Sequence, residues 1–450
     1  MTNSTNRPRM ILVDDNIRDI GGHFYELATL LLQAGESNCY QPVLCTHQSF
    51  QDLGAVDSQW IVKPTFHTRR LVQWSIGVDG QSRFARGLDG RYLAASSFAG
   101  RWASVTEAFG RPSKRPKKML NQWAEDFECL IRELQPSEHD QIVINTGDDF
   151  CFLALTQALS RMADLPRLQI KILFHFAIFE STQPNIKDTL GEYRRQMNLC
   201  FDQLRSHDIS VFATTASLAA QMRRADLAQS VGVIPYPTRI RTISQSLMNE
   251  PLKIVMAGLP RAEKGRGFIE DFLGGVHSGM QDGRYVVSMQ MRSDRWQTMI
   301  PKSMHSEYTR SVQGDQSSPL EIMTDNLSTV QYHDWLDTAD VGLFLYQPQR
   351  YEARCSGVLL ELMTRGVPVI VPKGSWLSDQ VNAAGGNGSV GFIYESPDEI
   401  PSLLQQLCRQ RVQISTRSRE HAVLMQRQHS ATNTLKVMGI HSPPTSVRAA

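Results

Sequence analysis

Short runs of apolar, β-favouring residues alternate with longer segments whose apolar positions recur every three or four residues, almost throughout the chain. The runs that read as strands are Met10–Asp15, Gln41–Thr46, Gln141–Thr146, Ile170–Phe176, Ile209–Thr214 and Val231–Pro235, then Lys253–Gly258, Tyr285–Met289, Val341–Tyr346, Val367–Pro372 and Val390–Tyr394. Several are continuously apolar rather than alternating, the mark of strands covered on both faces and hence of a parallel sheet. Between them, Phe24, Leu27, Ala28 and Leu31 share one helical face in Gly22–Ala34. Leu190, Tyr193, Met197, Cys200, Phe201 and Leu204 do the same in Asp188–Arg205. Strand and helix in alternation predict βαβ units and a doubly wound α/β architecture.

The pattern breaks at about 236–251, where Pro235-Tyr-Pro237 ends a strand and Arg239–Glu250 is polar before a fresh strand begins. Two α/β domains of similar size follow from that break. Two stretches read as long loops: 61–118, basic and rich in Gly and Ser, and 292–320, with Ser, Asp, Gly and Pro. The segment after Gly439 reads as disordered. His333 and Asp334 are expected on a surface helix.

At 450 residues the chain is long enough for each half to bury a core. With 41% hydrophobic and 20% charged residues, its composition is that of a globular protein. A net charge of +2 argues against a nucleic-acid polycation. That charge is uneven, because 61–118 holds twelve Lys and Arg against three Asp and Glu. The seven cysteines are scattered without a CxxC pair, so neither a disulfide framework nor a structural zinc is expected, and a reducing compartment fits. Met1–Met10 is polar, unlike a secretory signal. No run approaches the roughly 20 apolar residues of a membrane helix. A cytoplasmic location is expected, with contact to the inner face of a membrane as an option.

Residues 10–28, MILVDDNIRDIGGHFYELA, read as a strand, a turn and two glycines opening a helix. Gly21 and Gly22 either let the backbone approach an anion at a helix N-terminus or make a tight turn. The opening ILVDDN also resembles a receiver domain. Ser58–Thr65, where a phospho-accepting acid should follow, holds none, and that reading is set aside. In LKIVMAGLPRAEKGRG, Arg261 and Lys264 project after a strand and a small-residue turn, and two such cations suit a diphosphate. Further on, the loop Gln347–Cys355 leads to Ser356-Gly357, whose N–H groups can face phosphate oxygens. Glu361, one turn later, can accept from a ribose diol.

Three other positions keep two readings each. His175, in ILFHF near a strand's carboxyl end, is a ligand contact or a satisfied core histidine. Asp148 and Asp149 bind acceptor hydroxyls or cap the helix from Phe150. In 61–118, Arg111, Lys114, Arg115, Lys117 and Lys118 near Trp102 and Phe109 form a solvated loop, or a platform for anionic lipids or glycans.

Taken in order, the GGH turn (Gly21, Gly22, His23), FATTASLA (Phe212 to Ala219), VIPYP (Val233 to Pro237), GLPRAEKG (Gly258 to Gly265), ADV (Ala339 to Val341) and LLELMTRGVPVIVP (Leu359 to Pro372) resemble the retaining glycosyltransferases of the B-type fold, above all family 4. The resemblance spans nearly the whole chain. It implies an α/β fold of two Rossmann-like domains, parallel sheets with helices on both faces, facing each other across a central cleft. Residues 1–240 would form the acceptor side, with 61–118 its basic loop region. Residues 241–440 would bind the nucleotide-sugar, and 441–450 would be a disordered tail.

By the same resemblance Arg261 and Lys264 act in catalysis on the donor diphosphate. Gly22, Gly258, Glu352, Arg354, Ser356, Gly357, Val358 and Glu361 bind the donor, and His23, Asp148 and His175 face the acceptor. No metal or cofactor is expected, since fixed cations replace it. The implied partners are a nucleotide-sugar donor and a saccharide or lipid-linked acceptor, with no nucleic acid and a membrane contact through 101–118 as an option. The sequence departs from the family pattern in one place: a glutamate with seven residues between it and Glu361 is expected, and Ala353 stands in its position, with Glu352 one residue off. Either Glu352 shifts to the sugar or Arg354 and its neighbours take over. The alternative functions are a non-catalytic glycan- or nucleotide-binding scaffold of the same fold, and a sugar-nucleotide epimerase.

Overall fold

The computed structural model describes residues 7–20, 23–68, 75–76, 82–83, 115–177, 198–224, 230–243, 251–292, 296–324 and 327–443. The chain divides into two compact units, Met1–Pro237 with Ala431–Ala450, and Thr238–Ser430.

In the first unit the strands are β1 (Arg9–Asp14), β2 (Gln41–His47), β3 (Ile61–Phe66), a short antiparallel pair β4 (Ser75–Ile76) and β5 (Ser82–Arg83), then β6 (Gln141–Gly147), β7 (Gln169–Phe174), β8 (Asp208–Ala213) and β9 (Val231–Val233). All but β4 and β5 form one parallel sheet in the order β3-β2-β1-β6-β7-β8-β9. Its helices are α1 (His23–Ser37), α2 (Arg115–Leu134), α3 (Asp149–Leu159), α4 (198–204) and α5 (Ala216–Arg224). The central strands β1 and β6 are buried along almost their whole length, as continuous apolar runs require when helices flank a sheet. Leu27, Ala28, Leu31 and Leu32 form the buried face of α1 over Met10 and Leu12.

The second unit holds β10 (Leu252–Met256), β11 (Tyr285–Gln290), β12 (Leu320–Met323), β13 (Val341–Leu343), β14 (Val369–Pro372) and β15 (Gly391–Tyr394). They make a parallel sheet in the order β12-β11-β10-β13-β14-β15. With them come α6 (Ile269–Gln281), α7 (His305–Val312), α8 (Thr329–Asp337), α9 (Gly357–Met363), α10 (Trp376–Ala383), α11 (Ile400–Arg409) and α12 (Arg411–Gln428). Among the described residues no helix is long and apolar enough to cross a membrane.

The structure departs from the sequence reading in several places. Residues 61–66 are not loop but the strand β3, at the sheet edge. Lys63 and Pro64 interrupt its apolar run, and only an edge strand accepts a proline without losing a ladder bond. The same basic stretch ends in α2, whose Trp123, Phe127 and Leu130 are fully buried. Most of the proposed membrane platform, 101–114, lies outside the described residues. Residues 292–320 are likewise more than loop, because Met299, Ile300, Met304 and Tyr308 bury themselves in the core of the second unit. Their elements, two short 3-10 turns and the eight-residue α7, are too short for a periodic pattern to announce them.

The units also differ from the expected division at residue 240. The boundary falls after Pro237, and the last helix, α13 (Ala431–Val437), belongs to the first unit. Leu435, Met438 and Ile440 join the cluster beneath α1. Thr434 Oγ1 donates to the Pro235 carbonyl at 2.8 Å, and Tyr40 Oη donates to the His441 carbonyl at 3.0 Å. Of the tail expected to be disordered, 441–443 is therefore attached, and 444–450 lies outside the described residues.

Candidate functional site

In the second unit β10 is the first strand laid down, and its neighbours β11 and β13 are the second and fourth. Chain connections leave the two sides of such a strand toward opposite faces, so a crevice opens at the carboxyl ends of β10 and β13. Two loops border it, one following each strand.

The first loop is shaped by two glycines. Gly258 has φ +87° and its N–H donates to Gln290 Oε1 at 2.8 Å, tying the loop to the end of β11. Gly265 has φ +76°, and a β-carbon there would stand 1.8 Å from the Leu345 carbonyl oxygen. Only glycine lets the 3-10 turn Ala262–Lys264 press this closely on the chain leaving β13. Arg261 precedes that turn, exposed, with Nη1 3.8 Å from Oε1 of the buried Glu263. Lys264 folds back so that its ammonium covers Gly258 and lies 5.5 Å from the centroid of the Tyr346 ring. Burial, then the charges of Arg261 and Arg354, lower the Lys264 pKa to about 8, against opposing pulls from Glu263 and Glu361. A cation poised in this way gains most from an arriving anion.

The second loop is joined to the first, because Gln347 N donates to the Glu263 carbonyl at 3.0 Å. It makes a 3-10 turn at Pro348–Arg350 and buries Tyr351, whose carbonyl accepts from Trp376 N at 2.7 Å. The Arg354 guanidinium stands 5.2 Å from the Tyr351 ring centroid. Ala353 is buried and Glu352 exposed. Ser356 caps α9, its Oγ accepting from Leu359 N at 3.3 Å, and Gly357 and Val358 open the helix. Their N–H groups belong to the first turn, which has no acceptor within the helix.

Glu361 is held at both ends. Its Oε2 accepts from Tyr332 Oη at 2.9 Å, and its carbonyl accepts from Arg365 Nη1 at 2.7 Å. Arg365, 1% exposed, also donates to Asp337 Oδ1 at 2.6 Å and to His333 Nδ1 at 2.9 Å. His333 is thus buried inside the network rather than on the surface as expected, while Asp334 is exposed. Tyr332, Arg365 and Gln290 escaped the sequence reading. An arginine before a glycine at a helix end ordinarily faces water, and only tertiary contacts bury this one.

The first unit gathers a different set of groups at its strand ends. Gly22 lies outside the described residues, and His23 is exposed at the start of α1. Asp148 is the N-cap of α3, accepting from Cys151 N at 2.9 Å. His175 Nε2 donates to the Asn145 carbonyl at 2.6 Å, and its ring meets Tyr236 edge-on at 5.8 Å. Beside them lies Asp14, fully buried and missed by the sequence reading. Its Oδ1 accepts from Asn16 N and Nδ2 at 2.9 and 3.1 Å. Its Oδ2 accepts from Asn145 Nδ2 and Thr146 Oγ1 at 2.7 and 2.8 Å. Burial, then the charge of Asp15, raise its pKa.

No protein-family model matches the chain, and no curated protein matches it in sequence. Solved structures do match in fold. HepE from Anabaena, in complex with UDP, aligns with a TM-score of 0.57 at 12% identity, covering 96% of this chain and 98% of that one. The trehalose-6-phosphate synthase OtsA gives the same figures, a TM-score of 0.57 at 12% identity over 96% and 98%. Apo WaaB, a lipopolysaccharide outer core galactosyltransferase, gives 0.54 at 12% identity over 96% and 99%. At such identities the likeness carries the fold alone, and that fold is the B-type glycosyltransferase fold of two parallel-sheet α/β domains.

Proposed function

We propose that the protein transfers a sugar from a nucleoside-diphosphate sugar to a saccharide or lipid-linked acceptor, with retention at the anomeric carbon, in the synthesis of a polysaccharide or glycoconjugate. The observation that carries this reading is the convergence of Arg261, Lys264 and Arg354 with Ser356 and Glu361 around the crevice between β10 and β13. HepE, of the same fold, was solved with UDP, which supports a nucleoside diphosphate as the ligand class.

In this reading the diphosphate lies against Lys264 and Arg261, over Gly258, and the ribose diol donates to Glu361. As the glycosidic bond breaks, negative charge grows on the departing diphosphate, so the fixed cations favour the transition state over the ground state. They supply the charge a divalent metal would otherwise bring. The departing phosphate oxygen takes the acceptor's proton, and no side chain acts as nucleophile. Arg354, over the Tyr351 ring, follows Ala353, the position at which the family pattern would offer a carboxylate to the sugar. His23 and His175 are assigned to the acceptor. Asp148, the cap of α3, joins them.

The test is a thermal-shift panel with UDP, GDP, ADP and their sugars on the parent protein and Lys264→Ala. Stabilisation by one base, lost in the variant, is the expected result and names the donor. A flat panel for the parent would overturn the reading and leave a scaffold of the same fold.

A further inference from the structure

The carboxylate assigned to the ribose sits on a helix of only seven residues, Gly357–Met363. So short a helix has little rigidity of its own. It packs on α12 and is tied to α8 through side chains. From one helical turn of α8, Tyr332 reaches the Glu361 carboxylate while His333, together with Asp337 one turn on, holds Arg365, which in turn takes the Glu361 carbonyl. That carbonyl lies in the last turn of α9, where carbonyls lack helical partners and a cation is favoured. Arg365 Nη2 can only donate, so His333 Nδ1 is the acceptor and the ring proton sits on Nε2. Arg241 completes the brace by pairing with both Asp334 and Asp337, and its own carbonyl accepts from Gln426 Nε2 at 2.8 Å.

A purely stabilising ion pair would be an odd use of a buried arginine, because desolvation takes back most of what such a pair gains. The arrangement makes better sense as aim. We propose that Tyr332 and Arg365 are positioning residues that fix the Glu361 carboxylate in the geometry needed to grip the hydroxyls of the donor ribose. This rests on the donor-site reading above. Tyr332 sets the carboxylate rotamer by binding its Oε2. Arg365 sets the height of the backbone from which that side chain springs.

The experiment compares UDP, GDP and ADP with their 2′,3′-dideoxy analogues by calorimetry, in the parent protein and in Tyr332→Phe, Arg365→Met and Arg365→Lys. The parent should prefer one ribonucleotide to its dideoxy analogue by about tenfold or more, the worth of hydrogen bonds to a charged group. In Tyr332→Phe and Arg365→Met that preference should collapse toward one, through weaker ribonucleotide binding with dideoxy binding unchanged. Arg365→Lys should recover part of it. A merely structural role would weaken both nucleotides alike.

Tyr332→Phe removes a single oxygen, so it decides the matter if Arg365→Met does not fold. A folded Tyr332→Phe that keeps the parent's preference overturns the inference. A parent that binds a ribonucleotide without such preference overturns it while leaving the diphosphate site standing. A parent that binds none of the three ends both.

Discussion

A β-carbon on Gly258 would stand 2.3 Å from the Lys264 ammonium. The bare glycine is therefore the seat on which the cation rests. Because the clash is with the far end of a flexible chain, Gly258→Ala should displace the ammonium rather than break the fold. The strain of a side chain at φ +87° adds on the order of 1–3 kcal/mol. Turnover should fall about tenfold or more, as when one fixed charge leaves a reacting phosphate, while thermal denaturation still shows a folded protein. Full turnover in Gly258→Ala would mean that Lys264 does not act from this position. Gly265→Ala should behave in the opposite way, since its clash is with the Leu345 backbone and has no flexible way out.

Lys264 gives a pH signature whose sign is fixed. Its pKa is lowered in the folded protein from 10.5 to about 8. Between those values the unfolded chain holds more protons than the folded one, so this group makes stability rise as pH climbs through the window. Lys264→Met should lack that rise and be the more stable protein at pH 7. A bound diphosphate raises the pKa again, so nucleotide affinity should decline as pH climbs above about 8, with a proton taken up on binding. Calorimetry in two buffers of different ionisation enthalpy measures that proton, and none taken up at pH 8.5 would contradict the assignment.

Asp14 should prove a keystone of the first unit. Four donors point at its carboxylate, and Asp14→Ala would leave them buried without it. Loss of about 3 kcal/mol or more is expected in urea denaturation. A loss below roughly 1 kcal/mol, the scale of one ordinary hydrogen bond, would show that water replaces the carboxylate easily.

The C-terminal helix offers a test of the division into units. Leu435 is fully buried beneath α1, so Leu435→Ala should cost about 2–5 kcal/mol. Hydrogen exchange should speed up in α1 and β1 while α6 and β11 stay protected. Equal loosening of the second unit would show that the two do not unfold separately.

Much of the fold was legible because its cause is local. A run such as Ile11-Leu12-Val13 or Val367–Val371 is apolar on both faces of the strand it forms, which tells of a parallel sheet wherever it lies in space. The loop after β10 was legible for the same reason: Gly258, Arg261, Lys264 and Gly265 lie within eight residues, and one turn shapes all four. Strand β3 was not, since Lys63 and Pro64 are tolerable only at an edge that the sequence does not declare.

What only tertiary structure decided are the contacts made between elements. Tyr332 and Glu361 are 29 residues apart, and His333 and Arg365 are 32 apart. Nothing local marks either pair, because a tyrosine or arginine on a helix is ordinarily free to face water. Likewise Leu435 shows an apolar side but not which helix covers it. By itself the sequence determined two parallel sheets and the cations that follow one strand. The approach of α8 side chains to the end of α9, and the packing of α13 beneath α1, decided which polar groups lose water and must therefore find one another, since burial makes an unmet hydrogen bond costly.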